Sequence, residues 1–212
     1  MRRSLAALLL FSIMVPAIAK DEFYLGPVFT PGKSESFEGG TSLRTDTGYG
    51  LNLGFQHDFN RQWQGGGEIT WSNTDYRATV APGTGNTNGP TEIRGTIESW
   101  TLRFFGTYNF TTTPLKPFVS AGMGWTYVDT NIPTGLPQNV CWWYPWYGYV
   151  CSAYVPTAAT TRFSYNGALG LRYDFPGNTF VRGMVNLQWM DYGGASGADY
   201  WTQYRIDIGW RF

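Results

Sequence analysis

Tyr204-Arg205-Ile206-Asp207-Ile208-Gly209-Trp210-Arg211-Phe212 is the stretch from which the fold of this 212-residue chain is read. Tyr204, Ile206, Ile208, Trp210 and Phe212 alternate with Arg205, Asp207, Gly209 and Arg211. Successive side chains of an extended strand point to opposite faces, so this segment has one apolar face and one charged face. The apolar row finishes on an aromatic residue, Phe212.

The same period of two recurs upstream. Residues 23–29 are the least regular case, blurred by Gly26-Pro27, and a proline is tolerated where closure of a sheet begins. In the second segment Tyr49, Leu51, Leu53 and Phe55 oppose Asn52, Gly54 and Gln56. Trp63, Ile69 and Trp71 then oppose Gln62, Gln64, Glu68 and Thr70, and Trp100, Leu102, Phe104, Tyr108 and Phe110 oppose Thr101, Arg103, Thr107 and Asn109. Val119, Met123, Trp125 and Tyr127 follow, interleaved with Ser120, Gly122, Gly124 and Thr126. Phe163, Tyr165, Leu169, Leu171, Tyr173 and Phe175 oppose Arg162, Ser164, Asn166, Arg172 and Asp174. Val181, Val185, Leu187 and Trp189 oppose Arg182, Met184, Asn186 and Gln188. With the terminal segment these make eight strands, an even number as antiparallel closure requires. No 3.6-residue pattern persists, so the chain is predicted to be all-β.

Alternation alone does not say which face points outward, because a soluble ligand-binding barrel alternates too. Two features decide it. The apolar face of the clear strands carries no charge, whereas the other face carries Glu68, Arg103, Arg162, Arg172, Asp174, Arg182, Arg205, Asp207 and Arg211. The apolar face is also graded, with Trp, Tyr and Phe near the strand ends and aliphatic residues or glycine between them. Aromatic girdles around an aliphatic band are what two membrane interfaces select. Volume agrees, since an eight-stranded barrel has an interior only wide enough for its own side chains, and the aromatic row would overfill it.

Composition fits this reading. Charged residues are 14% and aromatics 18%, against about 25% charged residues in an average soluble domain. Mean hydropathy is nevertheless −0.26, which alternating strands explain by averaging apolar against polar positions. Zero formal net charge argues against nucleic acid as a partner. At the amino end, Arg2 and Arg3, an apolar run over residues 5–15 and Ala17-Ile18-Ala19 read as a secretory signal peptide over 1–19, leaving a barrel domain over 20–212. The apolar run is short of the ~20 residues a membrane helix needs.

Connection lengths alternate as well. Segments 60–61, 111–116 and 176–178 are short, whereas 30–47, 73–94, 129–161 and 192–199 are long. Short turns belong to the periplasmic side and long loops to the outside. The expectation is therefore an eight-stranded antiparallel up-and-down transmembrane barrel with four long extracellular loops and both ends in the periplasm.

The terminal aromatic strand resembles the closing strand of bacterial outer-membrane β-barrels. Gly122-Met123-Gly124 after Lys116-Pro117-Phe118-Val119 is similar to a recurring strand pattern of the small OmpA-transmembrane-like and opacity-protein-like barrels. The resemblance spans the whole mature chain. It implies location in the bacterial outer membrane among lipid and lipopolysaccharide. It also implies a monomer whose Tyr204, Trp210 and Phe212 form the signal read by the barrel-assembly machinery. Architecture of this kind hosts adhesins, structural anchors, conduits and a few enzymes, so it does not by itself give a function.

Three features carry candidate chemistry. The inward charges are either a hydrated passage or a plug of ion pairs, and pairing is expected where water is scarce because an unpaired buried ion costs several kcal/mol. Arg103 with Glu68 is the pair expected on adjacent strands, and Asp58 is expected near the lower rim. The single histidine, His57, falls beside a short turn on the periplasmic side, away from outer-leaflet substrate, and no serine or threonine stands in a nucleophile motif. No catalytic residue, metal site or cofactor is therefore assigned.

The third feature is a loop. Cys141 and Cys151 enclose Trp142-Trp143-Tyr144-Pro145-Trp146-Tyr147-Gly148-Tyr149-Val150. Two cysteines so close in an exported chain read as a disulfide, worth roughly 3 kcal/mol of unfolded-chain entropy. Three roles are open for the rings: recognition of a host or envelope glycan or protein, an enlarged interfacial girdle, or a lid on the barrel mouth. Residues 34–40 and 81–90, rich in small polar residues, are expected to be mobile. The expected function is a non-enzymatic surface protein, structural or adhesive, with a narrow conduit for small or hydrophobic solutes as the alternative and a lipid-modifying enzyme as the third choice.

Overall fold

A computed structural model describes residues 20–36, 42–80, 91–133, 138–146, 148–154, 157–190 and 199–212. The signal peptide expected over 1–19 and the segment 81–90 lie outside the described residues. All regular structure among them is strand: β1 Asp21–Thr30, β2 Ser34–Ser36, β3 Ser42–Thr45, β4 Gly48–Asp58, β5 Trp63–Val80, β6 Thr91–Asn109, β7 Leu115–Pro133, β8 Gln138–Tyr144, β9 Gly148–Tyr154, β10 Thr157–Asp174, β11 Thr179–Met190 and β12 Asp199–Arg211.

Eight of these close a ring. β1 pairs with β4 and β12, the neighbours run β4–β5–β6–β7–β10–β11–β12, and every pairing is antiparallel. Closure leaves the ring no edge strand, the one way a sheet satisfies all its backbone groups in hydrocarbon.

The predicted face is the observed one. Leu53, Phe104 and Ile208 are 49%, 55% and 42% exposed on the outside, while Glu68, Arg103 and Asp207 are buried within. Trp63 opposite Tyr108 marks the lower aromatic level, and Trp71 opposite Trp100 marks the upper one. Eight residues separate Trp63 from Trp71, which is about 27 Å of strand at ~3.4 Å per residue. A tilt of ~40° brings that to about 20 Å, the scale of a ~25 Å apolar band.

The bounds expected for three of the long loops are corrected by the strands themselves, and 192–198 of the fourth lies outside the described residues. β5 and β6 remain paired up to Val80 opposite Thr91, so most of 73–94 is strand. β7 and β10 run to Pro133 opposite Thr157, and β8 and β9 form a hairpin within 129–161. In 30–47, expected to be a loop and mobile over 34–40, Ser34–Ser36 and Ser42–Thr45 are strands, and β3 pairs with β5. Above Trp71 and Trp100 the outward row becomes Asn73, Asp75 and Arg77 on β5 and Glu98, Thr96, Arg94 and Glu92 on β6. With the outward row polar and the inward row mixed, from Ser72 and Thr74 to Tyr76 and Ala78, no apolar stripe marks a strand in sequence, yet backbone pairing continues as a tall wall. Glu98 accepts from Nε1 of both Trp71 and Trp100, at 2.9 Å each, which places a carboxylate where the apolar band ends.

The core is the lumen, and it is less polar than expected. Tyr24, Phe118 and Phe180 point inward and are buried. Each stands beside a cross-strand glycine: Tyr24 opposite Gly54, Phe118 opposite Gly170 and Phe180 opposite Gly209. A Cβ on Gly54 or Gly209 would overlap the facing ring. Glycine is therefore the residue that lets a ring cross a lumen this narrow.

Gly54→Val should push methyls into the Tyr24 ring and lower stability by about 1–3 kcal/mol. Gly106→Val on the lipid face, where an added Cβ meets nothing within 4 Å, should leave stability unchanged. Urea unfolding of the two variants in vesicles, followed by heat-modified gel mobility, separates them.

Candidate functional site

A continuous ionic network fills the lumen, with two centres. The lower centre is Glu22 of β1. Arg172 Nη1 donates to Glu22 Oε2 at 2.7 Å while its Nη2 donates to Oε1, a two-pronged clamp. Arg211 Nε donates to Glu22 Oε1 at 2.9 Å. Asp174 accepts from Arg172 Nε at 2.8 Å and Lys116 Nζ at 2.7 Å, and it also pairs with Arg211.

The upper centre is Glu68 of β5. Arg205 clamps it through Nη1 and Nη2 at 2.8 and 2.9 Å, the Tyr24 hydroxyl donates to it at 2.7 Å, and Arg103, its register partner, pairs with it. Asp207 lies between Arg182 at 2.9 Å and Arg205 at 3.2 Å. Gln56 joins the centres, because its Oε1 accepts from Arg182 at 2.9 Å and its Nε2 donates to Glu22. Above them lies a neutral layer: Asn186 accepts from Arg103 at 3.3 Å and Asn166 at 2.7 Å and donates to Gln203 at 2.9 Å. Gln188 donates to Thr126 at 2.8 Å above that.

Guanidinium groups also cover the lumen rings. Arg182 lies 3.7 Å from the Tyr24 centroid and Arg172 lies 3.8 Å from that of Phe180. Such contacts gain when water is excluded. The cavity left beside Glu68, Arg103, Phe118 and Met184 is about 10 Å³, room for about one water.

Of the residues expected in this network, Glu68, Arg103, Arg172, Asp174, Arg182, Arg205, Asp207 and Arg211 are brought together. Arg162 is not. It sits opposite Thr126 on the inward row but is exposed at the mouth, with no ion pair among the described residues. Sequence reading missed Glu22, Tyr24, Lys116, Phe118 and Phe180. All but Tyr24 lie beyond the predicted strand ends, Glu22, Phe118 and Phe180 by one residue and Lys116 by three, inside the predicted turn 111–116, and extending each alternation finds them. Glu22 and Lys116 leave the net charge of the network unchanged, but Glu22 gives Arg172 and Arg211 a second carboxylate beside Asp174.

At the lower rim His57 Nδ1 lies 2.7 Å from Asp21 Oδ1, its register partner, and Asp58 accepts from Gln64 at 2.6 Å. Among the described residues no cluster of His, Cys, Asp and Glu is placed to hold a metal ion. Tyr204 and Trp210 face outward on β12, and Phe212 N donates to Asp21 O at 3.0 Å where the last strand meets the first.

The extracellular hairpin is built differently. Cys141 stands directly opposite Cys151 and is bonded to it. Trp142 pairs with Val150, Trp143 with Tyr149 and Tyr144 with Gly148, whose φ of 72° turns the chain in a conformation suited to glycine. Trp146 at the turn is 90% exposed, Tyr149 77% and Trp143 60%. The Trp142 side chain and residue Tyr147 lie outside the described residues. β8 and β9 pair only with each other and emerge from the tips of β7 and β10. Those tips stand six residues beyond Tyr127, roughly 20 Å along the strand at ~3.3 Å per residue.

The sequence matches the model of the outer membrane protein β-barrel domain over residues 4–212, and the chain belongs to that family. It is therefore a bacterial outer-membrane barrel. Among solved structures it is similar to the outer membrane protein OprG of Pseudomonas aeruginosa, with 13% identity, 92% of this chain and 96% of that chain covered, and a TM-score of 0.53. It is also similar to Ail, the attachment invasion locus protein of Yersinia pestis, with 11% identity, 92% and 99% covered, and a TM-score of 0.48. Neisserial surface protein A matches at 14% identity, 89% and 95% covered, and a TM-score of 0.45. Among curated proteins none matches the sequence.

Glu68→Gln should leave Arg103 and Arg205 buried beside a neutral group and destabilise the barrel by about 3–5 kcal/mol. Arg162→Gln, at the exposed mouth, should stay within about 0.5 kcal/mol of the parent. Guanidinium unfolding in vesicles reads both.

Proposed function

For a member of this family we propose a non-enzymatic role at the cell surface, in which the barrel is a rigid mount and the disulfide-closed β8–β9 hairpin is the recognition element. One observation carries the reading: Trp143, Trp146 and Tyr149 are displayed to solvent on a covalently closed hairpin, at the end of a wall standing above the apolar band. Exposed aromatic clusters of this kind mark interaction sites, and Trp and Tyr dominate binding hot spots because they bury large area with few rotatable bonds. Rings held in one shape present flat apolar faces that suit a sugar ring or an apolar protein patch. The partner class is thus a host or envelope glycan or protein.

Exposure of the rings speaks against the lid, which would cover them, and the height of the β7 and β10 tips above the apolar band speaks against the enlarged girdle. A lumen with about 10 Å³ of free space at the level of Glu68 speaks against the narrow conduit. A lone histidine paired with Asp21 at the periplasmic rim speaks against a lipid-modifying enzyme of the outer leaflet. The role is adhesive or structural, in contact with outer-membrane lipid and lipopolysaccharide. The protein acts as a monomer, and its terminal strand with Tyr204, Trp210 and Phe212 is the segment presented to the assembly machinery.

Folded protein in detergent, screened against glycans, lipopolysaccharide and matrix proteins, should show a ligand whose affinity falls about thirtyfold in Trp146→Ala, the scale of a hot-spot residue. Binding should also weaken in Cys141→Ser, with the barrel still folded by its heat-modified gel mobility. A ligand bound equally well by both variants removes the hairpin from the reading. In planar bilayers the parent protein should show no steady conductance, and open-channel currents lost in Arg205→Ala would restore the conduit.

A further inference from the structure

Three arginines stand in line across the extracellular wall. Arg44 of β3 lies directly opposite Arg77 of β5, and Arg77 lies directly opposite Arg94 of β6. All three are exposed. Arg77 is in phase with Trp71 on β5 and Arg94 with Trp100 on β6, so both belong to the outward rows. Arg44 shares their face as a cross-strand partner. At ~4.8 Å between neighbouring strands the row spans about 10 Å.

Like charges placed directly opposite one another destabilise an antiparallel pair, so this line needs a source of negative charge. Glu92 supplies part of it. Arg94 Nε donates to Glu92 at 2.8 Å, and Arg94 first and Arg77 to a lesser degree hold that carboxyl below its ordinary value. Arg44 and Arg77 have no ion pair among the described residues.

Beneath the row the sign reverses. Asp75 lies two residues below Arg77 on the outward row, and Asp46, also exposed, lies beside it with its N–H donating to Asp75 O at 2.8 Å. Lower still, Glu98 is directly opposite Asp129, at the level where the Trp71 and Trp100 indoles donate to Glu98. The wall thus shows carboxylates next to the apolar band and guanidinium groups above them. Arg77 is six residues beyond Trp71, about 20 Å along the strand at ~3.4 Å per residue, which a tilt of ~40° reduces to about 15 Å of height.

A lipopolysaccharide leaflet has its own order of charge with height. The lipid A phosphates lie at the membrane interface, and core sugars bearing phosphate and carboxylate groups rise above them. Glu98, Asp129, Asp46 and Asp75 face the lower level and are matched in sign to its phosphates, which they repel. The arginine row faces the upper level with the opposite sign.

We propose that the row of Arg44, Arg77 and Arg94 is a binding site for the anionic core sugars of lipopolysaccharide. Guanidinium groups meet phosphate and carboxylate oxygens through paired N–H donors. Arg44 and Arg77, one strand spacing apart, grip one anionic group between them, and Arg94 with its Glu92 closes the row on the β6 side. Ser34, exposed and opposite Arg44, adds a hydroxyl at the other end. The site rests on the proposed contact with lipopolysaccharide and shares no residue with the β8–β9 hairpin, so either can fail without the other.

The test uses the full barrel in phosphatidylcholine nanodiscs with ¹⁵N-labelled arginine, the Nε–H resonances of Arg44 and Arg77 being assigned by their loss in Arg44→Gln and Arg77→Gln. The probe is phosphorylated core oligosaccharide freed from lipid A by mild acid, at physiological salt. It should shift both resonances saturably and leave that of Arg162 at the barrel mouth in place. Arg44→Gln should weaken the affinity read at Arg77 about tenfold, and Arg77→Gln that read at Arg44 by a similar factor, with heat-modified gel mobility unchanged. Trp146→Ala should bind the probe like the parent, which separates this site from the hairpin. Core oligosaccharide that moves neither resonance, moves Arg162 equally, or binds both variants as tightly as the parent overturns the proposal. Binding lost once lipid A is added to the discs gives the row to the lipid A phosphates and overturns the assignment to the core.

Discussion

Hydrocarbon offers no hydrogen bonds, and that constraint governs everything else in this molecule. A chain that crosses it as strands must pair every backbone group and close on itself. Closure at eight strands then leaves an interior too narrow for a pore of bulk water. Each strand has to divide its side chains between lipid and lumen, and with a period of two there is no third place to put them. The charged residues of β5, β6, β10, β11 and β12 at membrane depth are thus committed to the lumen by the outer face, before any question of function arises.

What the lumen does with those charges follows from the cost of burying them. Ions packed so closely that the cavity beside Glu68 holds about 10 Å³ have to be matched by counter-ions or hydrogen bonds. The chain does this with a network in which Glu22 and Glu68 each receive a two-pronged arginine and Gln56 ties the two centres together. Tyr24 and Phe180 add ring faces under Arg182 and Arg172, and glycine opposite each ring makes the crossing possible. Such a plug ties β1, β4, β5, β6, β10, β11 and β12 together across the barrel axis. It stiffens the barrel and, on the proposed recognition reading, leaves the outer ends of its strands to meet a partner.

Those ends divide the surface into two unlike regions. On the side of β5, β6, β7 and β10 the wall rises above the apolar band and carries a closed aromatic hairpin. On the side of β1 and β12 the ladder between them ends, among the described residues, at Phe29 opposite Tyr204, where Pro31 follows, while β12 continues beside β11 to Asp199.

Sequence alone determined the strand number, the face each strand shows to lipid and the closing pair of cysteines, because each rests on local period or spacing. The Arg103–Glu68 pair was legible for the same reason, since both residues sit inside clear alternations on consecutive strands. Glu22, Lys116 and Phe180 were not, because they lie at strand ends where alternation fades and only pairing with a neighbour shows that the strand continues. The extension of β5 and β6 beyond Trp71 and Trp100 was hidden for a related reason: once the outward face meets water instead of lipid, it turns polar, the apolar stripe ends, and only the ladder marks the strand. Arg162 shows the converse, for parity gives its face but not its height, and height decides whether a charge is enclosed or free at the mouth. Which carboxylate meets which arginine across the lumen is set by closure of the ring, which brings residues from opposite ends of the chain side by side.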